Sequence, residues 1–545
     1  MLTGSIKALI AKYGRQRLVR TMRGYRSLKQ SGEISRLNAL QYALTVTELR
    51  SCQGRCSRLI FGAGVDNAEL SIRQNLMVRV SAITKLNGAV LRACGTPNSS
   101  VNHYIPPDWQ NILRGHGFEV SNFWCSLAWH GFVAIRFAKG VINIAQIAWA
   151  SALQIMRGSQ DTLANYVFFD AMATNNLPQP GTDGRSHDIF SWYEKWSGRI
   201  ANLDALCHGI HDAAPTATNN IPVVGMRWPV PPLAYTWLLM RFLIWSAIAT
   251  CLCLFDLMRG RWWHAFMLGD GATAALVRMQ PASNLAQEYL FTQSRICDRP
   301  LYTYEAEQRG AQITFYFYST NSERISRSSG HHAQLYMWQA MNWPRYLVWD
   351  SYQVRFVYKM VGISAKVSIV GPIWFSTCAI DAPQIPERAI AIFDIQPIRI
   401  SFYVLHAEED DYFVPYTSTQ FTTDSFICLQ SIGAHMVFKR KRQLSSRFHP
   451  SYIRFVERMG RWDKMITIDP DTSAYKLIEK CSAVISMPFT STALIARELG
   501  KPSCFYDPTG LIQRDDPAAH GIPIMIGRDE LQAWLEAVAL PMPAR

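Results

Sequence analysis

From about residue 300 to the end of the chain, short apolar runs alternate with amphipathic helical ones, and nothing else in the sequence constrains the fold as tightly. Ile313–Tyr318, Tyr346–Trp349 and Lys366–Val370 read as buried strands, with Gln353–Val361 as a helix between two of them. After the Pro-rich stretch Asp381-Ala-Pro-Gln-Ile-Pro386 the pattern restarts. Strands are predicted over Ala389–Phe393, Met436–Lys439, Met465–Ile468, Ala483–Ser486 and Ser503–Tyr506, and helices over Tyr452–Met459, Ala474–Lys480 and Ser491–Leu499. Such β-α alternation implies a parallel, doubly wound sheet. Two series divided by a Pro-rich linker imply an α/β protein of two Rossmann-like domains facing a cleft. Residues 159–385 form the first, with an apolar helical insertion near 230–275, and residues 386–545 the second. Residues 1–158 are left as an added helical region, basic and apolar. The length, 545 residues, suits this division and exceeds one ordinary domain.

The added region carries the charge signal. The chain holds 55 Lys+Arg against 41 Asp+Glu, a net +14, and the first thirty residues contain basic side chains but no acid. No cleavable-leader pattern follows them. They read either as a solvated basic helix or as a segment drawn to anionic lipid. No helix-turn-helix, zinc-finger or RNA-binding signature accompanies the charge, so nucleic acid is not an expected partner. Phe123–Ile155 is apolar but broken by His130, Arg136 and Lys139, and Leu233–Phe255 carries one charge, Arg241. The second stretch is long enough to span a bilayer. An arginine at the centre of a span is costly, and an interfacial helix with Trp and Arg at the headgroups fits better; a buried core helix is the third reading. Twelve irregularly spaced cysteines, with no Cys/His pair near Cys52/Cys56 or Cys251/Cys253, read as reduced thiols rather than a zinc site or disulfide framework.

In an open parallel sheet, ligands sit beyond the carboxyl ends of the strands. That rule selects Asp394, Gln396 and Arg399; Lys439, Arg440, Lys441 and Arg442; Asp469 and Asp471; Pro488, Phe489, Thr490, Ser491 and Thr492; and Asp507 to Gly510. No Gly-x-Gly-x-x-Gly or Walker loop is among them. Thr490, Ser491 and Thr492 open a helix, where free amides and the peptide dipoles favour an anion, although one hydroxyl there can equally be a helix cap. His449, held extended by Pro450, follows the basic run, and the two together suggest phosphate contacts. In the first domain, Glu305 and Glu307 precede a predicted strand; one of them could be a general base, or both could be exposed helix glutamates. Glu408 to Asp411 read as a solvated loop or a lip of the cleft.

Several of these segments carry a resemblance. Ile485-Ser-Met-Pro-Phe-Thr-Ser-Thr-Ala-Leu-Ile-Ala-Arg-Glu-Leu-Gly-Lys-Pro502 and Tyr506-Asp-Pro-Thr-Gly510 are similar to the bacterial polysaccharide-biosynthesis family named for its Pro-Phe-Thr-Ser motif. So are Tyr304-Glu-Ala-Glu307, Tyr318-Ser-Thr-Asn321, Asn342-Trp-Pro-Arg-Tyr-Leu-Val-Trp-Asp350, Gly371-Pro-Ile-Trp374 and Lys439-Arg-Lys-Arg442. The His-Pro and Ser/Thr elements also resemble those of bacterial sialyl- and Kdo-transferases that hold a CMP-sugar. The resemblance implies a GT-B-like glycosyltransferase of surface polysaccharide assembly, inverting and metal-independent. Its co-substrate would be a nucleotide-sugar, CMP-sugar favoured, with no tightly bound cofactor, and its acceptor a lipid-linked or growing glycan. It would be cytoplasmic and peripheral on the anionic inner face of the plasma membrane. The second domain would hold the donor, and Glu305, Glu307 or Asp350 would supply the base. Rival readings are a non-catalytic protein that binds glycan or lipid carrier, and a cytidylyl- or phosphoglycerol-type transferase using the same anion site.

Overall fold

The computed structural model describes residues 31–539 except 50–56, 82–83, 95–97, 159–162, 171, 173–175, 179–187, 200–201, 215, 219, 293–294, 321–324, 328–329, 332–335, 374–381 and 400–411. The basic first thirty residues, Cys52, Cys56 and the acidic run Glu408 to Asp411 lie outside the described residues.

Two sheets organise the chain. The first contains β1 (Tyr166–Phe169), β2 (Ala205–His208), β3 (Thr216–Thr218), β4 (Ile221–Gly225), β5 (Glu288–Phe291), β6 (Gln312–Tyr316), β7 (Arg345–Val348) and β8 (Lys366–Ile369). Its spatial order is β8-β7-β6-β5-β1-β2-β4-β3, parallel except for the edge strand β3. The second contains β9 (Ala389–Phe393), β10 (His435–Lys439), β11 (Met465–Ile468), β12 (Ala483–Ser486), β13 (Ser503–Asp507) and β14 (Ile524–Ile526) in the order β11-β10-β9-β12-β13-β14. Each sheet starts in the middle, winds to one side, then returns and winds to the other. The winding reverses between β1 and β5 in the first sheet, and between β9 and β12 in the second. This is the expected α/β architecture of two Rossmann-like units, and each strand after residue 300 named from sequence is present. Strands β1, β5, β9, β12 and β13 are buried along their whole length, as parallel strands covered on both faces must be.

A helical layer covers the first sheet. Its members are α1 (Asn122–Met156), α2 (Thr236–Met258) and α3 (Trp263–Met279), with α3 largely buried beneath the other two. Gly140 of α1 meets Gly269 of α3 so closely that a Cβ on Gly140 would lie 2.9 Å from the Gly269 amide nitrogen. Only small residues allow two helix backbones this approach. The outward faces are apolar: Trp124, Ile135, Ile142 and Trp149 on α1 and Trp237, Met240, Ile244 and Ile248 on α2 are exposed. Both helices are long and apolar enough to cross a membrane. One expectation is corrected here. Helix α2 begins at Thr236, so Arg241 lies in its second turn, with its guanidinium 5.6 Å from the Trp237 ring, not at the centre of a span. An arginine this near a helix end reaches the headgroups readily. Lys139, by contrast, is exposed midway along α1, which suits a helix lying in the interface.

The two units meet at their carboxyl ends. Asp350 follows β7 in the first sheet, and His520 lies on the connection from β13 to β14 in the second. The His520 Nδ1 and Asp350 Oδ2 atoms are 2.6 Å apart, and the Ser326 amide donates to Asp516 at 2.7 Å.

Candidate functional site

The second sheet reverses between β9 and β12, and the crevice beyond their carboxyl ends is where an open α/β sheet takes a ligand. Both flanks of this crevice come from residues that the carboxyl-end rule selects. From β12 the chain passes through Met487, Pro488 and Phe489 into α7 (Ser491–Glu498), which starts at the crevice. Pro488 is buried, and Phe489 packs edge-on against Phe505 with ring centres 5.5 Å apart, so both hold the turn in place. The hydroxyls face one another instead of capping the helix. Thr490 Oγ1 donates to the Met487 carbonyl at 3.0 Å and lies 3.1 Å from Thr492 Oγ1, which lies 2.8 Å from Ser486 Oγ. Thr490 stands at the cap position without a side-chain cap bond. The reading of these hydroxyls as a simple cap therefore fails. Among the described residues the first-turn amides of α7 have no side-chain acceptor, and beside half-buried Ser491 they carry the positive end of the helix dipole.

The opposite flank is built by a crossing of two loops. The Ile398 and Phe448 backbones form an antiparallel bridge, the His449 amide donates to the Pro397 carbonyl at 3.0 Å, and Arg399 Nε donates to the Ser446 carbonyl at 2.7 Å. These bonds bring His449 beside the β9 end. Pro450 is the first residue of α6 (Pro450–Met459), and His449 caps it, with Nδ1 accepting from the Ser451 amide. A neutral ring that accepts through Nδ1 carries its proton on Nε2, so His449 presents a donor. Burial, then the positive charges of Arg399 and Arg454, hold its pKa below the ordinary value, which favours that neutral form. Arg399 and Lys441 are exposed and Arg440 is half-buried.

Other selected residues serve the scaffold. Lys439 is buried and donates to the Pro470 carbonyl at 2.9 Å, so it fastens the loop after β11 and has no exposed ammonium for a phosphate. Gln396 clamps the main chain of Arg442 with two bonds, 2.7 and 2.8 Å. Asp507 is fully buried and accepts from the Tyr412 hydroxyl at 3.0 Å and the Thr509 and Ile512 amides at 2.9 Å. These three are corrected to structural roles. The carboxyl-end rule also selects Asp394, at the β9 end itself, without assigning it a particular contact. It is buried, bonded to the Tyr452 and Ser418 hydroxyls, and its Oδ1 has no partner among the described residues. Burial pushes its carboxyl up to about 6, against the pull of Tyr452 and Arg440.

None of the three carboxylates chosen as a base is free. Glu305 lies on α4 (Tyr302–Gln308), is 3% exposed, and accepts from the Ala63 amide and Arg278 Nε, each at 2.9 Å. Glu307 pairs with buried Arg299, which also donates to the Asn342 carbonyl at 3.1 Å. Both precede a strand and therefore sit toward the amino end of the sheet, while ligands gather at the carboxyl end. Asp350 does lie at the carboxyl end. However, its Oδ1 caps α5 (Ser351–Val361) by accepting from the Tyr352 and Gln353 amides at 3.0 and 3.1 Å, and its Oδ2 meets His520. Burial acts to raise its pKa, but the bonds from His520, Gln353 and Tyr352 outweigh it and hold the carboxyl below its ordinary value.

The family described as Polysaccharide biosynthesis PFTS motif protein matches residues 240–535. No curated protein matches the chain. Among solved structures, the UDP-GlcNAc 2-epimerase of Methanocaldococcus jannaschii is 8% identical over 70% of this chain and 93% of its own, with a TM-score of 0.35. The wall teichoic acid polymerase TagF is 11% identical over 74% and 90%, TM-score 0.35. An α,α-trehalose-phosphate synthase of Burkholderia xenovorans is 10% identical over 70% and 93%, TM-score 0.34. Likenesses this distant decide nothing about the reaction.

Proposed function

The chain belongs to the family of polysaccharide biosynthesis PFTS motif proteins, and from that premise we propose that it is a glycosyltransferase of polysaccharide assembly. It passes a sugar from a nucleotide-sugar to a lipid-linked or growing glycan. The observation that carries this reading is the uncapped start of α7 at the reversal point of the second sheet, with His449 presented from the other flank. As the glycosidic bond to the nucleotide breaks, negative charge builds on the leaving phosphate. Fixed amides and an Nε2–H donor stabilise that charge more in the transition state than in the bound donor, which is what accelerates the step. Arg399 and Arg440 add a positive field. A CMP-sugar remains our preferred donor, and inversion without a metal our preferred course. The apolar faces of α1 and α2 support a peripheral seat on the inner, anionic face of the plasma membrane.

The test is nucleotide binding followed by thermal shift and calorimetry with CMP, CDP, UDP and GDP. His449→Ala should weaken binding by roughly ten- to a hundredfold, the loss of one bond to a charged group. Ser491→Asp should abolish binding yet leave the fold at least as stable, because the new carboxylate occupies the anion site and suits the helix start. Unchanged affinity in both variants removes the site assignment. The rival, a non-catalytic protein that docks glycan, gains from the pairing of Glu305, Glu307 and Asp350. Donor turnover by the purified protein decides between them.

A further inference from the structure

A second cavity lies in the first unit, between the helical layer and the segments that follow β4 and β5. It is a cavity of about 310 Å3 with a polar lining in an otherwise apolar neighbourhood. Asn143 and Gln146 of α1 and Asp270 and Thr273 of α3 line one side; Arg227 and Arg295, from the segments that follow β4 and β5, line the other. Asn143 and Gln146 are set into the inner face of a helix whose neighbouring Ile142 and Trp149 are 54% and 68% exposed on the outer face. Polar side chains inside a layer that presents apolar faces outward are costly, and they mark ligand sites more often than ordinary packing does.

The charges around the cavity do not cancel. Arg79 and Arg136 share Asp270 at 3.6 and 3.0 Å, and Arg295 bridges Asp170 and Asp298 at 3.1 and 2.7 Å. Arg227 makes the fourth guanidinium, against three carboxylates, which leaves an excess of 4 − 3 = +1. Arg227 has no carboxylate partner among the described residues. It donates to Gln146 Oε1 at 2.6 Å and lies 5.2 Å from the Trp228 ring. An exposed guanidinium held by an amide and a ring is pre-set for two parallel bonds to a phosphate.

We propose that this cavity takes the phosphate group of a membrane lipid that carries the acceptor, with Arg227 as its principal contact. The proposal rests on the glycosyltransferase reading. The lipid tail would lie along the apolar faces of α1 and α2, and the phosphate would anchor its sugar end near the carboxyl ends of the first sheet's strands, on the acceptor side of the crevice. A soluble phosphate ester has the same head chemistry but gains nothing from those faces.

The experiment is vesicle co-sedimentation of the full chain and its Arg227→Gln variant. Vesicles are phosphatidylcholine alone, or the same lipid with a polyprenyl phosphate or with phosphatidylglycerol at equal surface charge. The polyprenyl phosphate should tighten binding more than phosphatidylglycerol does. Arg227→Gln should lose that extra part by roughly ten- to a hundredfold while binding phosphatidylcholine as the parent does. Equal enhancement by both anionic lipids, or an enhancement that survives Arg227→Gln, overturns the site. Complete competition by millimolar inorganic phosphate overturns the lipid as its source. Nucleotide affinity is measured on the same samples. In the parent chain, absence of any extra binding to polyprenyl phosphate with nucleotide binding intact rejects this cavity alone, whereas no nucleotide binding with the lipid effect intact rejects the donor reading alone.

Discussion

Glu305 offers the sharpest test, because the sequence and the structure assign it opposite roles. A base would be lost from turnover without harm to the fold; a structural carboxylate would do the reverse. In the structure Glu305 is 3% exposed, its Oε1 accepts from the Ala63 amide and from Arg278 Nε, each at 2.9 Å, and the ion pair brings Arg278 Nη2 to 2.8 Å. Gly62 passes directly over this pair with φ +53°, and a Cβ there would fall 1.7 Å from Oε1 and 1.9 Å from Arg278 Nη2. Breaking a buried ion pair costs about 3–5 kcal/mol. The Arg278 side chain is 29% exposed and part of its charge is screened by water, so about 2–3 kcal/mol is the better figure. For a unit of this size that lowers the melting temperature by about 4–12 °C. Glu305→Gln and Gly62→Ala should therefore share a lowered melting temperature in thermal denaturation, with nucleotide affinity and turnover per folded molecule kept. If Glu305→Gln melts like the parent but loses turnover by about 10²–10⁴-fold, the structural reasoning is wrong and Glu305 is the base.

Two further outcomes depend on pH. Asp394 has a folded pKa of about 6, above the ordinary 3.8, so the fold penalises its ionised form; the penalty is absent below about 3.8, grows up to about 6 and is complete above. Asp394→Asn should raise stability by up to about 3 kcal/mol at pH 8, and a difference in urea midpoint that fails to shrink toward pH 4 would refute this. Burial lowers His103 from 6.5 to about 4, partly offset by its bond to the Val80 carbonyl, so the unfolded chain binds that proton more tightly. Stability is then complete above 6.5 and falls as pH drops toward 4, by about 3 kcal/mol in all. His103→Phe should flatten that slope, and an unaltered slope rules the histidine out as its source.

How much of this was legible in the sequence depended on where each segment sits. The second sheet was readable because its strands and helices alternate over well-formed periods, and Ala389–Phe393, Met465–Ile468 and Ala483–Ser486 have the predicted bounds. Strands β1, β2 and β5 were not, although each is as long as Met465–Ile468 or Ala483–Ser486. The long apolar helices around them dominate the pattern and hide the β-α alternation. The candidate anion site was reached by the rule of carboxyl ends, without side-chain knowledge. Lys439, Gln396 and Asp507 passed the same rule and failed because each side chain turns back to hold a backbone loop, a choice that spacing does not record. Glu305 and Glu307 were chosen without that rule. A residue just ahead of a parallel strand lies at its amino end, so the same rule should have excluded them.

That distinction between ends divides the family-like segments into two kinds of work. Tyr304, Glu305, Glu307 and Asn342 interlock at the amino end of the first sheet. The Asn342 Nδ2 donates to the Tyr304 hydroxyl at 2.7 Å, and its Oδ1 accepts from Gln74 at 2.9 Å. With Gly62 and Arg278 they fix the N-terminal helices and α3 to the sheet. Pro488 to Thr492 shape the crevice at the carboxyl end of the second sheet. The helical layer is thus bound to the first unit by buried ion pairs and a glycine-to-glycine crossing, whereas the second unit meets the first through bonds such as Asp350–His520 and Ser326–Asp516. That seam is itself buried, with His520, Asp516 and Ser326 out of solvent and Tyr352 against His520, but it joins two separate sheets, and relative motion between such units is the common expectation. Closure around a ligand should therefore act at the Asp350–His520 seam and leave the exposed apolar faces of α1 and α2 unchanged, so that the first unit stays in place while the second moves.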